Sequence, residues 1–565
     1  MGNEVYIYIG IGAAVFFLLL YFALTARKRQ RRQALYRIRR FYGQTPEREY
    51  TEDELQKIRT FFDLTKEEER FYIDDISWND LDMDGLFMAA NHCFSSCGEE
   101  ELYRLLRTPV LKPGELEKRE QLIRFFDGNT DVREALELQY AFMGRTKKFS
   151  IIQYLRSFRD LPLKSGFHHA FHMILLLAAI GTIFIIPLLG ILVLLVVMGI
   201  NIYRYYSEKS SIEPYYVSLS AIAYLITSAE KITEVKAPEL EPYHKELREA
   251  LKPVRSLTRD MFFLGSGTQS TGGGDLLQII MDYLRMITHL DFLKFNTMVR
   301  KIASHEAELL KILEICGFLE AMISVSSFRR TLPFYCTPDL TETKEVSLSV
   351  KDGYHPLLRE PVANSFDTDR PMLITGSNAS GKSTFLKMTA LNLIFGESLN
   401  TCFAAEVSGP FCRIYSSMAL RDDITGGESY YVVEVRSIKR ILDALHGETP
   451  VVAFVDEILR GTNTVERIAA SSEVLKYFAD HGVMVFAATH DIELTYLLEE
   501  DYKNAHFTED VEDGEISFSY QLKEGRASSR NAIKLLSVMG YDDEVVNRAE
   551  ETAQRFLKEG EWRLS

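Results

Sequence analysis

Three rhythms of apolar and polar positions succeed one another along the chain. The first is the unbroken apolar run, seen from Tyr6 to Leu24, which has about the length needed to span a bilayer. Arg27-Lys28-Arg29-Gln30-Arg31-Arg32 follows it at once. Because the basic residues stand after the run and no small-residue cleavage site stands out, the pattern predicts a retained anchor with its N-terminus outside, not a cleaved signal peptide. A second apolar stretch carries no Asp, Glu, Lys or Arg between Lys164 and Arg204. One straight helix of that length would rise roughly 58 Å, about twice the hydrocarbon thickness. Pro187-Leu188-Leu189-Gly190 near the middle supplies a turn, so the reading is a hairpin of two short spans, Phe171 to Ile186 and Ile191 to Tyr206. The competing reading is a helical pair buried in a soluble core. Lys147, Lys148, Arg156, Arg159 and Lys164 lie before the hairpin, and Arg204 and Lys209 after it. That distribution puts both flanks in the cytoplasm.

The second rhythm is helical. Apolar and charged residues recur at helical spacing from Thr51 to Arg159, as in Glu99-Glu100-Glu101-Leu102-Tyr103-Arg104-Leu105-Leu106-Arg107, with Pro109 and Pro113-Gly114 as punctuation. Ser218 to Asp260 and Leu276 to Val325 read as long helices on either side of a glycine-rich loop, Gly265 to Gly274. From about Leu332 a third rhythm takes over, short apolar runs alternating with helices, the signature of a parallel α/β sheet.

Composition narrows the field. The 565 residues exceed what one hydrophobic core holds, and the formal charge of -15 argues against a surface devoted to nucleic acid. A local basic patch remains compatible with it, and the stretch through Arg40 is a candidate for anionic lipid or nucleic acid. Six thinly spread cysteines suit a reducing compartment better than a disulfide scaffold. Cys93, Cys97 and His92 share a short segment, yet a structural zinc needs four ligands and no second cluster follows, so buried or idle thiols are expected.

The chemistry concentrates in Leu373-Ile374-Thr375-Gly376-Ser377-Asn378-Ala379-Ser380-Gly381-Lys382-Ser383-Thr384. This is a buried strand running into a glycine-rich turn that opens a helix, which makes backbone N–H groups into a cradle for phosphate. Gly376 and Gly381 let the backbone curl around the anion, Lys382 reaches the β- and γ-phosphates, and the Ser383 hydroxyl ligates magnesium. The whole segment from Gly376 through Thr384 is thus the candidate ATP-binding loop. Val451-Val452-Ala453-Phe454-Val455-Asp456-Glu457 is an apolar strand ending in two carboxylates: Asp456 to hold Mg2+, Glu457 to orient and deprotonate water. A third strand, Val483 to Thr489, leads into His490, a candidate sensor of the γ-phosphate.

The order of these segments resembles the ATPase domain of the MutS family, a branch of the ABC-type ATPases. The resemblance runs from about Val346 to Phe556 and includes Asp352-Gly353-Tyr354-His355-Pro356, Asp456-Glu457-Ile458-Leu459-Arg460-Gly461-Thr462-Asn463-Thr464 and Ala488-Thr489-His490-Asp491-Ile492-Glu493-Leu494-Thr495. It implies two subunits paired head to tail, each nucleotide lying between the phosphate loop of one and a signature serine of the other. Gly427-Glu428-Ser429-Tyr430-Tyr431-Val432-Val433-Glu434-Val435 matches the signature segment and nominates Ser429 for that role, with Glu428 standing where the family usually carries a basic residue. Gly98 to Pro109 and Ile312 to Phe334 resemble parts of the family's helical core and lever. Gly525 to Arg530 through Arg548-Ala549 resembles its helical dimerisation segment, departing from it at Asn531-Ala532 and Asp542.

Mismatch-repair members recognise DNA with an N-terminal domain whose Phe-x-Glu wedge stacks into a kinked duplex. The interval between the basic flank and Gly98 is too short for such a domain plus a connector, and Phe318-Leu319-Glu320 and Phe395-Gly396-Glu397 fall in other segments. A transporter half is disfavoured by the count of three spans and by a signature unlike Leu-Ser-Gly-Gly. The resulting expectation is a multidomain chain: transmembrane helices, an all-α core and lever domain, and a C-terminal α/β P-loop ATPase domain of ABC type. It divides into an anchor (1–25), a basic juxtamembrane segment (26–50), a first lever part (51–164), the hairpin (165–206), a second lever part (207–340), the ATPase domain (341–510) and a helical dimerisation segment (511–565). The expected protein is a homodimeric, multi-pass cell-membrane ATPase using ATP and Mg2+, its ATPase domain cytoplasmic. A DNA-binding ATPase of repair or recombination at the membrane is the alternative.

Overall fold

The structure is a computed structural model that describes residues 21, 25, 28–146, 148–159, 161, 167–264, 283–284, 286–377, 379–418, 430–445, 447–512, 515–527, 533, 536–537 and 539–559. The predicted anchor, the glycine-rich loop 265–274, Asn378 and the segment containing Glu428 and Ser429 lie outside the described residues, apart from Tyr21 and Thr25 at the end of the anchor. The chain divides into two compact units.

The first unit comprises Met1–Glu67, Ala90–Arg104 and Leu122–Phe328. Along the chain the helices before the first strand are α1 (28–41), α2 (Glu52–Thr65), α3 (Asp75–Asp80), α4 (Met83–Ala90), α5 (Ser96–Arg107), α6 (Pro113–Gly128), α7 (Thr130–Met143), α8 (Ile151–Arg159), α9 (Phe167–Ile185), α10 (Pro187–Ile232), α11 (Glu241–Leu264), α12 (Leu290–Ser304) and α13 (Glu306–Arg329), of which α3 and nearly all of α4 belong to the second unit. Thr51 starts α2 with a capping box: its side chain accepts from the Glu54 amide, and Glu54 accepts from the Thr51 amide at 3.1 Å. Ile58, Phe61 and Phe62 then recur on one face and are buried.

The acidic string at the start of α5, expected as part of an amphipathic helix, is interior. Glu99, Glu100 and Glu101 are all buried. Glu99 takes Lys57 Nζ at 3.3 Å and Arg145 Nε at 2.9 Å, which compensates a charge otherwise costly to bury. Among the described residues the hydrogen bond to Glu100 comes from the Ser150 hydroxyl, at 2.9 Å, and burial pushes its carboxyl up to about 8. Glu320 accepts from the Phe94 and Ser95 amides at 2.6 and 3.1 Å. Gly317 permits this crossing of α5 and α13, since a Cβ there would stand 2.8 Å from that of Glu101. Cys93 and Cys97 are buried free thiols, and the His92 ring nitrogens face the carbonyls of Ala90 and Gln44 at 3.2 and 2.9 Å. Among the described residues no cluster of three or more His, Cys, Asp and Glu could hold a metal.

The hairpin differs from its prediction at its turn and at the end of its second helix. The anticipated turn Pro187–Gly190 is the first turn of α10, and Ile186 alone makes the break. Proline's locked φ suits the first helical position, where its missing N–H costs nothing. Gly190 lets α10 pass directly against the Ile183 backbone. The second helix does not stop at Tyr206 but continues to Ile232, so the expected boundary at 206/207 falls within a continuous helix. Phe167–Ile185 and Pro187–Lys209 are long and apolar enough to cross a membrane, and only 17% and 22% of their apolar windows are buried. Phe184, Ile185 and Leu188 are among the most exposed large apolar side chains.

The second unit comprises Glu68–Ala89, Leu105–Gln121 and Arg329–Ser565. Two segments expected in the lever therefore pack with the α/β part, for a polar reason. Ser416 donates its amide to Ser77 Oγ at 3.0 Å and its hydroxyl to Asp80 at 2.7 Å, and the Val110 amide reaches the Glu397 carbonyl at 3.0 Å. The strands are β1 (Asp339–Thr341), β2 (Leu348–Gly353), β3 (Asn364–Thr368), β4 (Met372–Thr375), β5 (Glu406–Pro410), β6 (Arg413–Ser417), β7 (Val451–Asp456), β8 (Met484–Thr489), β9 (Lys503–Glu512) and β10 (Glu515–Glu524). The helices are α14 (Lys382–Leu399), α15 (Tyr430–Asp443), α16 (Thr464–Asp480), α17 (Ile492–Leu497) and α18 (Asp543–Glu559). A four-stranded sheet runs β1-β5-β2-β3, and a six-stranded sheet runs β10-β9-β4-β8-β7-β6. In the larger sheet β9, β4, β8, β7 and β6 are parallel, and β10 returns antiparallel on β9. The expected domain end at 510 thus cuts β9, and β10 completes the sheet beyond it. Strands β4, β7 and β8 are buried almost throughout because helices cover both faces of a parallel sheet, with Phe454 and Phe486 stacked at 5.4 Å.

Candidate functional site

The candidate residues converge at the carboxyl ends of three neighbouring strands, β4, β8 and β7, where open α/β sheets place their ligands. Met372, Leu373 and Ile374 anchor β4, and the chain then turns through 376–381 into α14. Gly376 and Gly381 have φ of +151° and +112°. A side chain on Gly376 would meet Ser380 Oγ at 2.8 Å and the Phe507 carbonyl at 3.0 Å, so only glycine fits. Ser380 is buried, while Ser383 and Thr384 are exposed in the first turn of α14. Ser377 Oγ is held by Glu509.

Lys382 is buried to 5% exposure, and that burial lowers its pKa. Its ammonium donates to the Gly376 and Ser377 carbonyls, both at 2.9 Å, and stands 3.3 Å from His490 Nε2. Asp456 ends β7 beside the turn, with its Oδ2 accepting from Ser383 Oγ at 2.5 Å. The other oxygen, Oδ1, is buried and has no hydrogen-bond partner among the described residues. A serine hydroxyl, an adjacent carboxylate and an unsatisfied buried oxygen form a donor set that fits a hard cation such as Mg2+, which keeps several waters and needs few protein ligands.

Glu457 is the next residue, at φ +55°. His490 Nε2 lies 2.8 Å from its Oε1 and Arg460 Nε 2.6 Å from its Oε2. The His490 hydrogen bond, followed by the Arg460 charge, holds this carboxyl below its ordinary value. A carboxylate only accepts and an ammonium only donates, so His490 Nε2 as an N–H serves Glu457 and not Lys382. The turn carrying His490 is fixed behind it, where the Asp491 amide donates to Thr489 Oγ at 3.0 Å and Arg467 grips the Asp491 carboxylate at 2.6 and 2.8 Å. A cavity of about 510 Å³ opens at the turn, lined by Lys382, Thr384, Glu457, Phe507, Tyr520 and His355 among others.

The structure therefore brings together Gly376, Ser377, Ala379, Ser380, Gly381, Lys382, Ser383, Thr384, Asp456, Glu457 and His490. Asn378 and Ser429 fall outside the described residues. Arg460 and Arg467 were not singled out by sequence reasoning. Their spacing to Glu457 and Asp491 is visible, but which acid each would reach is not. Tyr520, on the far strand of the sheet, gave no signal at all.

The MutS domain V family matches residues 372–557, the stretch that holds the glycine-rich turn, both carboxylates and His490. Residues 372–557 thus carry a MutS domain V, and the similarity to curated MutS proteins reaches about half of the chain. A DNA mismatch repair protein MutS from Thermotoga petrophila is 29% identical over 300 residues, covering 49% of this chain and 36% of that protein. The MutS protein of Shouchella clausii is 28% identical over 286 residues, covering 48% and 32%, and that of Natronomonas pharaonis 28% over 274 residues, covering 46% and 31%. The chain thus spans about a third of the length of the curated MutS relatives it matches.

Proposed function

We propose that this chain is a MutS-family, membrane-anchored ATPase that binds and hydrolyses ATP with Mg2+ at a dimer interface and couples the cycle to movement of its lever helices. The observation that carries the reading is the Glu457 carboxylate, set between His490 and Arg460 beside the glycine-rich turn and Lys382. On this reading the backbone amides of 376–381 and the Lys382 ammonium bind the phosphates, and Ser383 and Asp456 hold the metal. Mg2+, when bound, neutralises charge on the transferred phosphoryl group. Glu457 orients the attacking water and takes its proton, and His490 keeps that carboxylate aimed. Phe507 and Tyr520 offer aromatic surface to the base. Ser429, from the partner subunit, closes the site in trans.

Turnover by the purified full chain tests the assignment. Lys382→Ala should abolish nearly all of it, and unchanged turnover in that variant sinks the proposal. Membrane anchoring rests on the exposed apolar faces of α9 and α10 and on the Tyr6–Leu24 run. The full chain should stay in the membrane pellet through an alkaline carbonate wash, and release into the supernatant would refute it.

Mismatch recognition is not part of this proposal. Phe395 and Glu397 are buried, as are Glu320 and the Phe507 of Phe507-Thr508-Glu509, so none of these Phe-x-Glu strings is available as an inserting wedge. The alternative, a membrane-associated ATPase that binds DNA, is favoured by α1, where Lys28, Arg29, Arg31, Arg32, Arg37 and Arg40 are exposed with no acidic residue among them. It predicts binding to duplex DNA whose salt slope falls when those arginines are replaced. No binding at low salt removes it.

A further inference from the structure

Glu434 is a buried carboxylate on α15, 4% exposed, with no place in the phosphate site. Its Oε1 accepts the Arg460 amide at 3.1 Å, and the amides of Leu459 and Gly461 face the same carboxylate. Successive N–H groups facing one acidic side chain form a nest, a backbone geometry that such a group stabilises, and here the Arg460 amide makes the hydrogen bond while Glu434 Oε2 has no partner among the described residues. The turn needs such support, because Glu457 and Leu459 both sit at positive φ, +55° and +57°, where a side chain is strained. Gly461 seals the contact: a Cβ on it would lie 2.8 Å from that of Tyr431, so α15 rests directly on the turn. The product of this arrangement is the position of Arg460, whose side chain leaves the nest to clamp Glu457 Oε2 at 2.6 Å.

We propose that Glu434 is a positioning residue for the reaction: from α15 it holds the 459–461 turn by its amides, and so sets Arg460 against the Glu457 carboxylate. This rests on the reading of Glu457 as the group that activates water. It makes the aim of Glu457 depend on α15, which begins at Tyr430, next in sequence to Ser429. A shift of α15 is thereby transmitted to the catalytic carboxylate without passing through the phosphate loop.

The test uses the full chain and separates kcat from KM for ATP in the parent, Glu434→Gln, Glu434→Ala, Arg460→Ala and the Glu434→Ala/Arg460→Ala double variant. Glu434→Ala should lower kcat about tenfold with KM within about twofold, since an aligning contact is lost and the phosphate cradle is not. Glu434→Gln, which keeps an acceptor oxygen, should recover part of that loss. The double variant should be no slower than Arg460→Ala, because both changes act through one contact. Amide exchange should show protection lost at 459–461 and kept along α15. Unchanged kcat in Glu434→Ala, a KM that rises as kcat falls, or fully multiplicative losses in the double variant would each overturn the role. Should Glu434→Ala fail to fold, the kcat of Glu434→Gln decides, and parental values there overturn it equally. Absence of ATP turnover in the parent overturns the ATPase reading and any catalytic role for this turn with it. Turnover in the parent with unaltered Glu434 variants overturns the positioning role alone.

Discussion

The Glu457 carboxylate and the His490 imidazole meet at 2.8 Å across the ends of adjacent strands β7 and β8. Asp456 pairs in register with Ala488, so the residues after each strand emerge side by side. Glu457→Gln keeps the shape and one acceptor but cannot take a proton. It should lower ATP turnover about 100-fold or more while ATP still binds, as equilibrium binding of a fluorescent ATP analogue would show. His490→Ala leaves the carboxylate chemically intact and should cost less, about 10-fold.

The Ser383–Asp456 contact makes a separate prediction about the metal. Chelation with EDTA should abolish turnover, and added Mg2+ should restore it. Asp456→Asn should raise the Mg2+ concentration needed for half-maximal turnover by about 10-fold, read by titration. An unchanged requirement would place the cation elsewhere.

Gly376 is the position in the turn with least room. Gly376→Ala drives a methyl group toward Ser380 Oγ and the Phe507 carbonyl. The variant should lose about 1–3 kcal/mol of stability in the α/β unit, measured by denaturant unfolding, and bind ATP poorly.

Glu100 gives the helical unit a pH dependence. Burial raises its carboxyl from 4.5 to about 8, so the folded state holds a proton that the unfolded state releases. The stability it contributes is fully present below pH 4.5 and is lost as pH rises through about 8. Glu100→Gln removes that loss. It should stabilise the protein at pH 8, by on the order of 1 kcal/mol, and leave it near the parental value at pH 4, as thermal unfolding at the two values would show.

Sequence spacing was enough to bring Lys382, Ser383, Asp456, Glu457 and His490 into one site. Asp456, Glu457 and His490 directly follow or end apolar runs, and Lys382 and Ser383 follow one through the glycine-rich turn, so a parallel sheet delivers them to the same edge. It could not assign Arg460 or Glu434, whose effect depends on a turn at positive φ that only packing against α15 sustains. The acidic string Glu99-Glu100-Glu101 misled in a similar way. Three consecutive carboxylates look solvated until Lys57, Arg145 and Ser150 come from other segments to meet them.

What the sequence determined by itself was local: the apolar stretches long enough for a membrane, the helical and α/β halves, and the glycine-rich turn with its lysine. These follow from periodicity, chain length and the backbone freedom of glycine, none of which needs a distant partner. Tertiary structure decided that residues 68–89 and 105–121 join the α/β unit, that α10 runs on past the hairpin, and that Ile186 makes the turn before Pro187. It also decided which oxygen of Glu457 meets His490 and which meets Arg460. Those outcomes depend on buried polar groups finding partners far away in the chain, and the partner is chosen by geometry that no spacing records.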